Sequence, residues 1–194
     1  MLRKTFVIIP IILLALSGCS SKSKEAAVTG AAPSAGAAAA PAATPTGTAT
    51  PHACPTAQTR KFAKTRFITN AGLAAGAFKR YIYSPYRKGS FKSGAKAQKR
   101  SIVKAAAAGL FVLDQLRRAK ANVQGDPSLC KVLSAPLQNL SSLMKGLVAK
   151  LKRGEVDPSA IGATSGALEA TRGTAGSAGA GFKDKNVPDN MIGG

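Results

Sequence analysis

Leu133, Leu137, Leu140, Met144, Leu147 and Leu151 recur at alternating spacings of four and three residues. That spacing puts every bulky apolar side chain on one stripe of a helix, whereas a half-buried strand needs a period of two. A stripe of this kind must be covered by other helices, so the chain is expected to build a helical bundle. The boundaries of this helix are also written locally. Asp126 and Pro127 follow Gly125 as N-cap and first helical residue, matching the preferences of those positions. Lys150, Lys152 and Arg153 populate the last turn and Gly154 closes it, as the helix dipole and a left-handed cap favour. Pro136 lies inside the stripe and predicts either a kink or a restart after a cap at Ser134.

Three further helices are predicted. Phe67, Ala71, Ala74, Phe78 and Ile82 mark one between Arg60 and Ile82, ending before Pro85 because the residue preceding proline avoids helical geometry. Gly72 and Gly76 lower its propensity but form a small patch that another element can approach. A second helix runs from about Ala95 to Val123, with Ile102, Val103, Ala106, Leu110, Leu113 and Leu116 facing inward. Its stretch 105–113 is apolar all round but far shorter than the ~20 residues of a membrane span. Asp157-Pro158 starts a weaker helix reaching roughly Thr171, with Ile161 and Leu168 as its apolar positions. No strand alternation is evident, so the fold class is all-α: three to four helices over residues 54–172, followed by a flexible Gly/Ala/Ser-rich tail at 173–194.

Ahead of the bundle, residues 20–51 are dominated by Ala, Pro, Thr and Ser, with no aromatic side chain. Such a segment buries too little surface to offset the entropy of ordering and reads as a disordered spacer, placing the linker at 19–53. Before the spacer, the cationic start Met1-Leu2-Arg3-Lys4 leads into an apolar run from Phe6 to Leu16, broken at Pro10. This is the pattern of a signal peptide over residues 1–18.

The run ends in Leu16-Ser17-Gly18-Cys19. Those four residues resemble the lipobox of bacterial lipoproteins: an aliphatic residue, two small ones, then cysteine. The resemblance covers the signal region only. It implies cleavage between Gly18 and Cys19, a diacylglyceryl group on the Cys19 thiol, and attachment to the extracytoplasmic face of the cell membrane. Two acyl chains anchor stably where one binds marginally, at ~0.8 kcal/mol per buried methylene.

An exported chain meets conditions under which disulfides persist. With Cys19 lipidated, Cys54 and Cys130 remain, and they are expected to pair. Closing the loop between them would restrict the unfolded chain by roughly 4 kcal/mol in the entropic description.

Composition bears on partners rather than on fold. The formal net charge is +20, and loss of Arg3 and Lys4 with the leader lowers it to +18, which favours anionic partners at short range. The cations are unevenly spread. Residues 60–104 hold 13 Lys and Arg, no Asp or Glu, and seven of the ten aromatic residues. Cations bind phosphate or carboxylate groups and exposed tyrosines stack on flat rings, so the mixture suits a polyanion. Between the first two helices a loop is expected at 84–90, and Tyr83, Tyr86, Arg87, Lys88, Lys92 and Lys96, which flank or occupy it where packing explains them least, are the candidate contacts. Phe67, Phe78 and Ile82 belong to the helix stripe and read as core.

Nothing comparable points to catalysis. The single histidine, His52, adjoins Pro51 at the end of the spacer, where no rigid frame orients it as base or ligand. Asp126 and Asp157 are accounted for as caps, and Asp114 stands four residues before Arg118 at an ion-pair spacing. No zinc constellation, serine triad or phosphate loop is recognisable. The expectation is a non-enzymatic, lipid-anchored protein without cofactor or metal, binding anionic cell-wall polymers or phospholipid headgroups. Nucleic acid satisfies the same electrostatics but is less accessible from that address. The alternative is a ligand-binding lipoprotein that partners a transporter or an envelope assembly.

Overall fold

Asp126 and Asp157 accept backbone N–H groups as the sequence leads one to expect in the computed structural model, which describes residues 53–192. Asp126 Oδ1 receives the amides of Ser128 and Leu129, both at 3.0 Å, and Asp157 Oδ1 those of Ser159 at 2.8 Å and Ala160 at 3.2 Å. They open α4 (Pro127–Lys152) and α5 (Pro158–Ser177). Upstream lie α1 (Ala63–Phe78), a π turn (Lys79–Tyr83), the short α2 (Ser84–Arg87) and α3 (Gln98–Val123). No strand occurs among the described residues.

α1 packs on α3, α3 on α4, and α4 on α5. The three-residue connection between α3 and α4 makes them antiparallel neighbours. The α4 stripe is fully used: Leu133, Leu137, Leu140, Met144, Leu147 and Leu151 are all buried. α3 approaches α4 closely at Gly109, where a Cβ would come within 2.5 Å of Val148 Cγ2.

Three expectations are corrected. The first helix does not stop before Pro85. It widens into the π turn, with the Ser84 amide reaching back to Lys79 O, and continues through Pro85 as α2. The wide turn falls just where proline lacks an N–H and its ring would meet the preceding carbonyl. Of the two outcomes expected at Pro136, the restart does not occur, since α4 is one helix throughout. The leucines on both sides share one buried seam, and Ser134 donates to Cys130 Sγ at 3.4 Å instead of capping a helix.

The inward face of α3 is also different. Val103 and Leu110 are exposed, and Ala106 and Leu113 only half-buried. The seam consists of Ile102, Ala105, Ala108, Val112, Leu116, Ala119 and Val123, because a helix wedged between two others needs small residues to approach both. The helix starts at Gln98, after Gly94 (φ +80°) and Ala97 (φ +66°) take left-handed conformations.

The third correction concerns the C-terminal residues. α5 runs six residues past Thr171 to Ser177, and the chain after it is docked rather than mobile. Ala180, Phe182, Val187 and Ile192 are buried, and Phe182 sets its ring edge against Phe67 with centroids 6.0 Å apart. Helices α1 and α5 do not pack directly along their length, and the tail supplies apolar side chains to cover the face of α1 that α5 leaves open.

Candidate functional site

The loop between α2 and α3 is tied down from within. Phe91 is buried, its carbonyl accepts Gln98 Nε2 at 3.2 Å, and Gly89 (φ +73°) receives the Lys92 amide on its carbonyl at 3.0 Å. With Phe91 as the plug, Arg87, Lys88, Lys92 and Lys96 are exposed on the outside. No carboxylate pairs with any of the four among the described residues. Tyr86 is half-buried beside them.

Tyr83 does not join this group. Its ring stacks on Phe78 with centroids 6.3 Å apart, and it lines a groove of about 270 Å³ between α1 and α5 with Leu168, Arg172 and Asp184. The predicted cluster is therefore split between a loop surface and a side groove.

The tail decides which cations are available. Asp184 pairs with Lys79 at 3.1 Å and with Arg172. Asp189 pairs with Lys104 at 2.7 Å and stands 3.9 Å from Arg80. The Lys104 ammonium, with the Tyr81 hydroxyl second, holds the Asp189 carboxyl below its ordinary value. The remaining ten Lys and Arg of residues 60–104 have no carboxylate partner among the described residues.

Tyr81 plays a structural part that the sequence did not signal. It is buried, and its hydroxyl is shared between Val187 O at 2.7 Å and Asp189 Oδ1 at 2.6 Å. Burial, followed by the bond to Asp189, raises its pKa. Its helical spacing made it one more aromatic in a basic run, because its partners lie more than 100 residues away.

Cys54 and Cys130 are paired at disulfide distance, with Cα atoms 5.6 Å apart. Residues 53–62 are thereby held against the α3–α4 turn, where Thr59 N donates to Gly125 O at 2.9 Å. Asp114 receives Arg117 and Arg118, each at 2.7 Å, the second being the expected i,i+4 pair. Gly18, Cys19 and His52 lie outside the described residues. Among the described residues no three His, Cys, Asp or Glu side chains converge as a metal site, and no helix is long and apolar enough to cross a membrane.

No protein family, curated protein or solved structure matches this chain.

Proposed function

We propose that this protein is a lipid-anchored, non-catalytic lipoprotein whose cationic helical domain binds anionic polymers of the cell envelope or the anionic membrane surface. Cys19 would carry the anchor, and residues 19–53 would be the spacer that lets the bundle reach its partner. The observation that carries the reading is the charge left over after folding. The tail carboxylates neutralise Lys79, Arg80 and Lys104, while Arg87, Lys88, Lys92 and Lys96 stay exposed on a loop held by Phe91. A loop pinned from inside presents its charges without a large loss of backbone freedom on binding.

Two measurements test the two halves of this reading. Mass spectrometry of the N-terminal peptide from native membranes should show a diacylglyceryl adduct on Cys19, and Cys19→Ala should move the protein out of the membrane fraction. An unmodified Cys19 would overturn the anchor. For the domain, binding of the purified full chain to cell-wall fragments and to anionic and neutral vesicles is measured at two salt concentrations. Steep loss with salt, confined to anionic surfaces, is expected for exposed charges. Binding insensitive to salt, or unchanged when Arg87, Lys88, Lys92 and Lys96 are all replaced by Gln, would overturn it.

A further inference from the structure

The opposite end of the bundle carries a second cationic feature. Between the first half of α1 and the last half of α3 lies a groove of about 380 Å³ whose walls include Arg60, Arg66, Arg118, Thr69, Asn70 and Asn122, and no carboxylate. From Arg66 to Tyr86 the helical run covers about 30 Å at a rise of 1.5 Å per residue, so this groove is remote from the α2–α3 loop.

Each arginine is brought to the groove by a distinct device. Arg60 is set by the arm that the Cys54–Cys130 pair holds in place. Its amide donates to Gly125 O at 3.3 Å, and its stem fills the space where a Cβ on Gly125 would stand, 2.6 Å from Arg60 Cγ. Any larger residue at 125 would displace the arginine lying over it. Arg118 is oriented through Nε, which donates to Asp114 Oδ2 at 2.7 Å. The rest of its guanidinium fork has no partner among the described residues. Arg66 is exposed on α1 with no carboxylate partner among the described residues.

Asn122 adds a neutral polar group to the same wall. Only 4% of it is exposed, its side-chain amide has no hydrogen-bond partner among the described residues, and it lines the groove. The amide is therefore the part of this residue that reaches the water of the cleft, where a ligand can take the water's place. Three guanidinium groups around one cleft suit the several oxygens of a phosphate, which arginine forks bind bidentately. The amides and the Thr69 hydroxyl suit the neutral oxygens of its substituent.

Phe62 stands in the same arm, two residues from Arg60. It is 71% exposed with a left-handed backbone (φ +59°), a rare conformation for a bulky residue. Exposed cations surround it in sequence at Lys61, Lys64 and Arg66. An apolar ring within a cationic rim is the arrangement that seats in the interface of an anionic bilayer.

We propose that the α1–α3 groove is a phosphate-ester site, with Arg60, Arg66 and Arg118 holding the phosphate and Asn70 and Asn122 its polar substituent. When the ester is a phospholipid headgroup, Phe62 enters the apolar layer beside it. The site is independent of the loop cations, so either can stand without the other.

The test uses the full chain in micelles of a neutral detergent, titrated with glycerol phosphate while the side-chain amide signals of Asn70 and Asn122 are followed by NMR. Saturable shifts at both amides are expected, with affinity lowered at least about tenfold in Arg60→Gln and Arg118→Gln, the scale of one lost charge-assisted contact. Lys88→Gln/Lys92→Gln should bind glycerol phosphate like the parent. Circular dichroism of each variant separates lost contacts from lost folding. No saturable shift at Asn122, or unchanged affinity in folded Arg60→Gln and Arg118→Gln, overturns the site. Sedimentation with phosphatidylglycerol vesicles, against phosphatidylcholine, decides the source. A loss in Phe62→Ala with glycerol phosphate binding intact supports the lipid headgroup, and unchanged sedimentation overturns the bilayer role of Phe62.

Discussion

A Cβ on Gly76 would fall 1.8 Å from the carbonyl oxygen of Lys185. One turn earlier, Gly72 would place a Cβ 2.7 Å from Lys183 O, and its own carbonyl accepts the Lys185 amide at 2.9 Å. The two glycines make a flat track on α1 along which the tail lies backbone to backbone. Gly76→Ala should lift the tail, because the obstacle is a main-chain carbonyl that cannot rotate away. The expected cost is about 1–3 kcal/mol, as for overpacking elsewhere. Urea denaturation gives the stability, and limited proteolysis should cut the variant first between 178 and 192. A variant as stable and as resistant as the parent would contradict the docked arrangement.

The tail should also respond to pH at both extremes. The Asp189 pKa is lowered, by Lys104 first and Tyr81 second, so its contribution is present above the ordinary carboxyl value. It is lost as the pH falls through the depressed one. The Tyr81 pKa is raised above its ordinary 10.0, so that contribution is complete below pH 10 and disappears as the pH rises through the higher, folded value. Hydrogen exchange of the tail amides across the pH range should show protection falling at both ends. Tyr81→Phe should remove the alkaline limb and weaken docking by about 1–2 kcal/mol, leaving the Val187 carbonyl unpaired.

Reducing the Cys54–Cys130 pair, which spans a sequence separation of 76, should lower stability by about 4 kcal/mol in the entropic description. Thermal unfolding with and without a thiol reductant measures it. Because the same pair holds the arm that carries Arg60, Thr59 and Arg60 should lose hydrogen-exchange protection on reduction even where the bundle stays folded. Protection unchanged at these two amides would show that Gly125 alone holds the arm.

Pro136 sits within an unbroken α4, where it withholds one backbone hydrogen bond and crowds the preceding turn. Pro136→Ala should therefore raise stability, by about 1–3 kcal/mol, without changing the buried stripe. Chemical denaturation checks this, and a destabilised variant would mean that the proline serves the fold in some other way.

The bundle was legible where the signal was local. Asp126 and Asp157 announce helix starts because an N-cap bonds within its own turn, and the α4 leucines announce a buried face because the helix period is intrinsic to the backbone. Val103 and Leu110 were misread for the opposite reason. Their spacing allows burial, but which stripe of α3 is covered depends on having neighbours on two sides, and those select the alanines. The candidate loop was legible only as a basic segment: the sequence left open whether its residues are exposed, and the structure exposes Arg87, Lys88, Lys92 and Lys96 while Tyr83 faces another groove. The α1–α3 groove was invisible, because Arg60, Arg118 and Asn122 meet only after the arm is pinned to the α3–α4 turn.

The sequence by itself determined that the fold is all-α, where α4 and α5 begin, and that the cations are concentrated in residues 60–104, since caps, periodicity and charge are properties of neighbouring residues. Tertiary structure alone decided the fate of the tail. A Gly/Ala/Ser-rich segment has no reason to order on its own, and Phe182, Val187 and Ile192 become ordered because α1 offers an uncovered apolar face and a glycine track. The same docking selects which cations remain available, for Asp184 and Asp189 reach Lys79, Arg80 and Lys104 only once the tail lies across α1.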